Sequence, residues 1–234
     1  MQLTARNTDT ELMDDPNLDI QVLKNVFKDI NRANAILGGN KGSLDAIWNI
    51  VKEDTKKTYT ILDVGCGDGY ILRKSALFLR KKNINVQLIG LDIREDILSI
   101  AKEASVDFPE ISYLKQDVLL LDPENHQCDI LLCTLTMHHF NNDEILVFLK
   151  KFVSISKNGI IINDLQRSKI ACSLFKLFRL FFLKTDITKK DGLTSIKSGF
   201  LLSELKEFSK NIPNVTHKIA WKWAFRYIWV MRTN

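Results

Sequence analysis

The stretch that most constrains this chain is Ile61-Leu62-Asp63-Val64-Gly65-Cys66-Gly67-Asp68-Gly69. Apolar residues surround one Asp, and three glycines then follow at alternate positions. The pattern predicts a buried strand running into a tight glycine turn, with a helix starting near Tyr70. Glycine takes positive φ freely and leaves no Cβ between backbone and ligand. The first amides of the next helix then face whatever lies over the loop. A plain strand–helix turn would use the same residues. A dinucleotide fingerprint of the GxGxxG kind needs Gly or Ala at position 70, where this chain has Tyr70. Here a carboxylate stands two residues before the first glycine. It would repel a pyrophosphate, and it suits a ligand that carries an ammonium group.

At 234 residues the chain has room for one sizeable α/β domain with additions. A formal net charge of +5 is too small an excess to point to nucleic acid, and none is expected as a partner. The cysteines Cys66, Cys128, Cys133 and Cys172 form no CxxC pair, and two sit in apolar runs. They read as free thiols in a reducing cytosol, so a cytoplasmic location is expected. Met1 to Asp19 has no apolar segment of the kind a secretory signal needs, and no apolar run approaches the length of a membrane span.

The glycine stretch resembles motif I of the class I S-adenosylmethionine-dependent methyltransferases. Later segments match that family in order, over about residues 60–231. The resemblance implies S-adenosyl-L-methionine as cofactor, with Gly65, Cys66, Gly67 and Gly69 beneath its methionine part and Asp63 holding its amino group. Asp92 ends the apolar run Val86–Asp92, where open α/β sheets place their ligands. There it can bind both ribose hydroxyls, with Ile93 beside the adenine, or it can cap the helix through Ile97 and Ile100. The resemblance favours the ribose. It also implies that Asp117 meets the exocyclic amine of adenine and that the Val118 amide meets the ring. Thr134 and Leu135 follow the fourth strand, where the methyl group would meet its acceptor.

His138-His139 is the best source of a catalytic base. Imidazole titrates near neutral pH and can take a proton from a phenol or another hydroxyl. A structural turn in which one ring bonds the backbone would use the same pair. The sequence around it supplies no further ligand, so no metal is expected. The Asn/Asp-Pro-Pro-aromatic tetrad with which amino-methylating enzymes of DNA grip a flipped base is absent, which counts against nucleobase methylation.

Residues 1–57 read as an N-terminal helical segment, either core padding or a lid, behind an extended or weakly ordered lead-in over residues 1–19. Residues 58–234 read as the methyltransferase domain, with a helical insertion near 168–200. Within that insertion Ile170, Leu174, Leu177, Phe178 and Phe181 make an apolar stripe among Lys169, Lys176, Arg179 and Lys184. A packed helix, a wall of a hydrophobic substrate pocket, and a membrane-surface or dimer contact all remain open for it. Gly192 to Phe200 is expected as a loop that could close over the site. Lys157-Asn158-Gly159 is expected as a turn, and Val215–Ala220 and Trp221–Val230 as two closing antiparallel strands.

The fold expectation is α/β: a Rossmann-like, seven-stranded, mostly parallel sheet with helices on both faces and N-terminal helical additions. The function expected is methyl transfer to a small, hydrophobic, phenolic or polyketide-like acceptor, with O-methylation favoured. Glu11-Leu12-Met13-Asp14-Asp15-Pro16 and Ile30-Asn31-Arg32 resemble bacterial methyltransferases of phenolic lipid and polyketide pathways, which supports that acceptor class. A catalytically silent cofactor-binding or regulatory relative is the alternative. The sequence leaves oligomeric state open.

Overall fold

The computed structural model describes residues 5–53 and 58–233. Two helices come first, α1 (Ile20–Ile36) and α2 (Lys41–Val51). An alternating series follows: β1 (Tyr59–Val64), α3 (Tyr70–Arg80), β2 (Val86–Asp92), α4 (Glu95–Ala104), β3 (Ile111–Lys115), β4 (Cys128–Thr134), α5 (Asn142–Ile155) and β5 (Ser156–Leu165). Three helices, α6 (Lys169–Phe182), α7 (Asp186–Ser198) and α8 (Leu202–Lys210), lead to the hairpin of β6 (Val215–Lys222) and β7 (Arg226–Thr233). The strands form one seven-stranded sheet in the order β3-β2-β1-β4-β5-β7-β6. Only β7 runs against its neighbours β5 and β6.

Both faces of the sheet are covered, which is why its central strands are apolar along their whole length. On one face Ile47, Ile50, Leu72, Leu79 and Leu98 of α2, α3 and α4 pack on Ile61, Leu88, Ile130 and Ile161. On the other, Leu149 and Phe152 of α5 and Leu205 and Phe208 of α8 pack on Leu62, Leu131, Ile160 and Trp229. The N-terminal helices therefore divide. Helix α2 belongs to a layer of the sheet, whereas α1 sets Leu23 and Phe27 against Ile97 and Ile100 beside the carboxyl ends of the strands.

Three local expectations are corrected. Lys157-Asn158-Gly159 is not a turn: α5 ends at Ile155 and β5 starts at once, taking up the extra residue as a bulge where Cys128 faces Ser156 and Ile130 faces Gly159. Gly192 to Ser198 is not a loop but the second half of α7, capped by Thr185. A helical glycine is used there because a Cβ on Gly192 would stand 2.2 Å from the Phe175 ring. The β6–β7 link falls at Trp223–Phe225 rather than near Ala220. The described part of the lead-in, residues 5–19, has no regular element beyond a 3-10 turn at Leu12–Asp14 and is held by contacts described below. Among the described residues no helix is long and apolar enough to cross a membrane.

Candidate active site

A cavity of about 920 Å³ lies over the carboxyl ends of β1, β2 and β4, roofed by α1, α6, α7 and the N-terminal segment. The sheet order reverses between β1 and β4, and a switch of this kind leaves a crevice for a ligand. The cavity wall includes Asp63, Gly65, Cys66, Gly67, Asp92, Ile93, Asp117, Val118, Thr134, Leu135, His138 and His139. Gly69, expected with them, is not on that wall. It caps α3 at φ +72°, and a Cβ there would meet the Tyr113 hydroxyl at 2.0 Å, so packing requires this glycine. Gly65 is on the wall at φ +69°, and a Cβ there would meet Thr136 at 2.5 Å.

Asp63 is the exceptional group. Its side chain is buried and both carboxylate oxygens are without a hydrogen-bond partner. Burial, reinforced by the neighbouring Asp92, pushes its carboxyl well above the usual range. The Thr134 hydroxyl, on the same wall, is also buried and unpartnered. A buried carboxylate with no partner is costly, so this corner is built for a donor that comes from outside the chain. Asp92 differs. It accepts from the Gly67 amide at 3.2 Å and the Arg94 amide at 3.1 Å, which ties the glycine loop to the end of β2. Burial still raises its pKa against those bonds. Asp117 is exposed and accepts from the Leu119 amide at 2.9 Å, while Val118 behind it is buried.

The histidines are separated by their surroundings. His138 is buried, its Nδ1 is 2.7 Å from an Asp164 oxygen, and its Nε2 is 3.4 Å from Glu11 Oε1. Burial opposes charge on the ring, but Asp164 and then Glu11 outweigh it and push the His138 pKa up to about 10. Burial likewise works against the Asp164 carboxylate, and the His138 charge overcomes it, so its pKa lies below the usual value. The two carboxylates thus favour the charged ring of His138 over the neutral one that a base requires. His139 stacks on it at 4.4 Å, is partly exposed to the cavity, and sets Nδ1 3.3 Å from Asp14. Glu11, His138 and His139 bring three ligand-type atoms within 4.8 Å of one another. A metal could use that set only after His138 lost its proton.

Sequence reasoning missed the groups that roof the site. The Leu12 and Met13 amides donate to Asp191 of α7, each at 2.9 Å, and Ser195 donates to Glu11. Arg94 donates to the Met13 carbonyl at 2.8 Å, and Arg6 to the His138 carbonyl at 3.0 Å. Asp29 of α1 accepts from the Lys184 and Thr185 amides at 2.7 Å and so holds the α6–α7 link. Arg226 is buried on the cavity wall with Asn34 at 2.6 Å as its near partner, and burial lowers its pKa to about 10. All of these are pairings between distant segments, and no short motif signals them.

Comparison with known proteins agrees with this geometry. A family model described as a methyltransferase domain matches residues 61–159, from the buried strand β1 to the start of β5. Over that stretch the chain resembles the methyltransferase domain of class I enzymes. It is similar to the malonyl-(acyl-carrier protein) O-methyltransferase 1 of Ilyobacter polytropus, 28% identical over 156 residues, which cover 66% of this chain and 53% of the relative. It is also similar to the Bacillus subtilis protein YqeM, 26% identical over 147 residues, covering 62% of this chain and 55% of that one. The chain therefore spans about half the length of the curated relatives it matches. Among solved structures, the plantazolicin methyltransferase BpumL in complex with a triazolic desmethylPZN analog and SAH superposes with a TM-score of 0.68. It is 16% identical, with 95% of this chain and 98% of that one covered, a likeness of fold. The methyltransferase-family fold places the glycine loop, Asp92 and the His pair around one cavity, in the order in which the strands deliver them.

Proposed function

We propose that this protein transfers a methyl group from S-adenosyl-L-methionine to a hydroxyl group of a small hydrophobic acceptor. The observation that carries the reading is the buried, unpartnered carboxylate of Asp63 beside the glycine loop. An ammonium group satisfies both of its oxygens and removes the cost of its burial. Asp92 keeps lone pairs for a pair of ribose hydroxyls, and Asp117 with the Val118 amide suits an adenine edge. When bound, the sulfonium cofactor supplies an electrophilic methyl group. The chain's task is then to align the acceptor, exclude water and remove one proton.

A cavity of about 920 Å³ has room for a nucleoside and a second molecule. Much of the remaining wall is apolar, with Phe27, Phe140, Leu174, Phe178, Phe181 and Phe225. That lining supports a hydrophobic aromatic or polyketide-like acceptor, and one curated relative is named an O-methyltransferase. His139, partly exposed and facing the cavity, is the base candidate. His138, buried between Asp164 and Glu11, is a positioning residue that fixes the N-terminal segment over the site.

Calorimetry of the purified protein with S-adenosylmethionine, S-adenosylhomocysteine and NADH tests the reading. Micromolar binding of both sulfur nucleosides, with none of NADH, is the expected result. Binding of neither would leave the glycine loop a turn without a ligand and overturn the proposal. With the cofactor established, a screen of phenolic and polyketide-like alcohols is expected to yield a methylated ether.

A further inference from the structure

Helix α6 is more apolar outside than a helix in water needs to be. Ile170, Leu174, Leu177 and Phe181 recur at steps of four, three and four residues, which sets them on one face. They are 65%, 46%, 58% and 75% exposed, and Leu180 beside them is 68% exposed. Ala171 is the only buried residue of the helix among those described. The adjoining face, with Phe175 and Phe178, turns inward, and Phe175 packs on Gly192 of α7. Five large apolar side chains left in water on one helix mark a contact surface.

Positive charge is concentrated in the segment that holds α6 and α7. Residues 168–200 hold seven Lys and Arg against Asp186 and Asp191, a net of +5, and the whole chain has a formal net charge of +5. The remainder of the protein therefore sums to zero. From Ser168 to Lys184 there is no acidic residue, and Lys169, Lys176 and Lys184 are exposed. Arg179 is turned to α7, donating to the Lys189 carbonyl at 3.0 Å. The exposed face is also continuous with the site: Leu174, Leu177 and Phe181 line the cavity, as does Trp223, 60% exposed on the β6–β7 hairpin.

We propose that α6 docks on an anionic bilayer surface and that the cavity takes an amphiphilic acceptor from it. A helix lying in the interface buries its apolar face at the level of the acyl chains and keeps its lysines among the phosphates. The rim formed by Leu174, Leu177 and Phe181 then opens into lipid, and an apolar acceptor reaches the site without crossing water. A two-fold dimer through the same face would set Lys169, Lys176 and Lys184 of two copies against each other with no acidic residue between Ser168 and Lys184 to pair them, which disfavours a second copy as the occupant. The docking surface stands independently of methyl transfer; the delivery of an acceptor rests on the proposed function.

The test is co-sedimentation of the full chain, without cofactor, with vesicles of phosphatidylcholine alone or mixed with phosphatidylglycerol. The double variant Ile170→Glu, Leu180→Glu changes exposed positions that do not line the cavity. Wild type is expected on the mixed vesicles, bound at least about tenfold more weakly to the neutral ones. The variant is expected to lose binding by at least about tenfold while keeping wild-type affinity for S-adenosylmethionine. Absence of vesicle binding, or equal binding by the variant, overturns the proposal. So does a dimer in light scattering that the variant splits, or an acidic soluble protein that competes the chain off the vesicles. Vesicle binding by a chain that binds no sulfur nucleoside would leave the surface standing and remove the proposed function. Nucleoside binding without vesicle binding would do the reverse.

Discussion

At the scale of single residues, the site is governed by charges that are buried before any ligand arrives. Asp63 has a raised pKa in the folded chain, so the free protein loses stability as pH rises from the ordinary carboxylate range to that raised value. Asp63→Asn removes the charge and keeps the shape. The free variant is expected to melt a few degrees higher at neutral pH, on a scale of roughly 2–4 °C per kcal/mol. Its affinity for S-adenosylmethionine is expected to fall by roughly tenfold or more, because a hydrogen-bonded charge pair is lost. Calorimetry and thermal melting of the one variant check both directions. His138 gives the opposite kind of group. Its folded pKa of about 10 lies above the unfolded value of about 6.5, so its contribution to stability is complete below the latter and lost as pH climbs through the former. Wild type is expected to lose melting temperature between those limits, and His138→Gln to show a flatter profile. His139→Ala is expected to lower turnover about a hundredfold with cofactor affinity unchanged, the scale of a lost general base. Equal turnover in that variant would leave alignment alone as the source of the rate.

At the scale of elements, the N-terminal segment is a strap across the cavity. Asp191 holds it by two amides, Arg94 by the Met13 carbonyl, and His138 by Glu11. Asp191→Ala is expected to free residues 5–19 without unfolding the sheet, since Met13 and Leu18 pack on the small cluster of Leu23, Phe27, Ile97 and Ile100 and not on the two large clusters that cover the sheet. Two hydrogen bonds to a charged group are lost, so amide protection at Leu12 and Met13 should drop at least about tenfold by hydrogen exchange.

At the scale of the whole molecule, the cofactor corner and the acceptor wall share one cavity roofed by segments from both ends of the chain. Ligand binding should therefore stabilise the assembly as a unit. At about one hundred times its dissociation constant, S-adenosylhomocysteine is expected to raise the melting temperature by roughly 5–10 °C. A scan by calorimetry checks this, and a shift absent in Asp63→Asn would tie the gain to the buried carboxylate. The strand order has the same consequence. Because β7 inserts between β5 and β6, Trp223 and Phe225 at the tip of the hairpin reach the cavity mouth although they stand near the end of the sequence.

What the sequence determined by itself is the sheet and the position of its ligand face. Strands β1, β2, β4 and β5 are apolar runs ended by Asp63-Val64, Asp92, Thr134 and Leu165, and hydrophobic period and glycine chemistry are local properties that a sequence displays directly. It was also enough to bring twelve of the thirteen expected site residues to one cavity wall, Gly69 being the exception, whose glycine answers to Tyr113 across the sheet. What only the tertiary structure decided is which charges are paired. His138 and His139 look alike in sequence, and Glu11, Asp14 and Asp164, 127, 125 and 26 residues from His138 or His139, bury one of them between two carboxylates and leave the other beside one carboxylate, facing the cavity. Helix α7 was hidden for the same reason. Gly192 reads as a breaker until the Phe175 ring is seen to occupy the space where a side chain would stand. Pairing of buried charges and close packing of rings are set by distance in space, and distance in space is what a linear pattern does not carry.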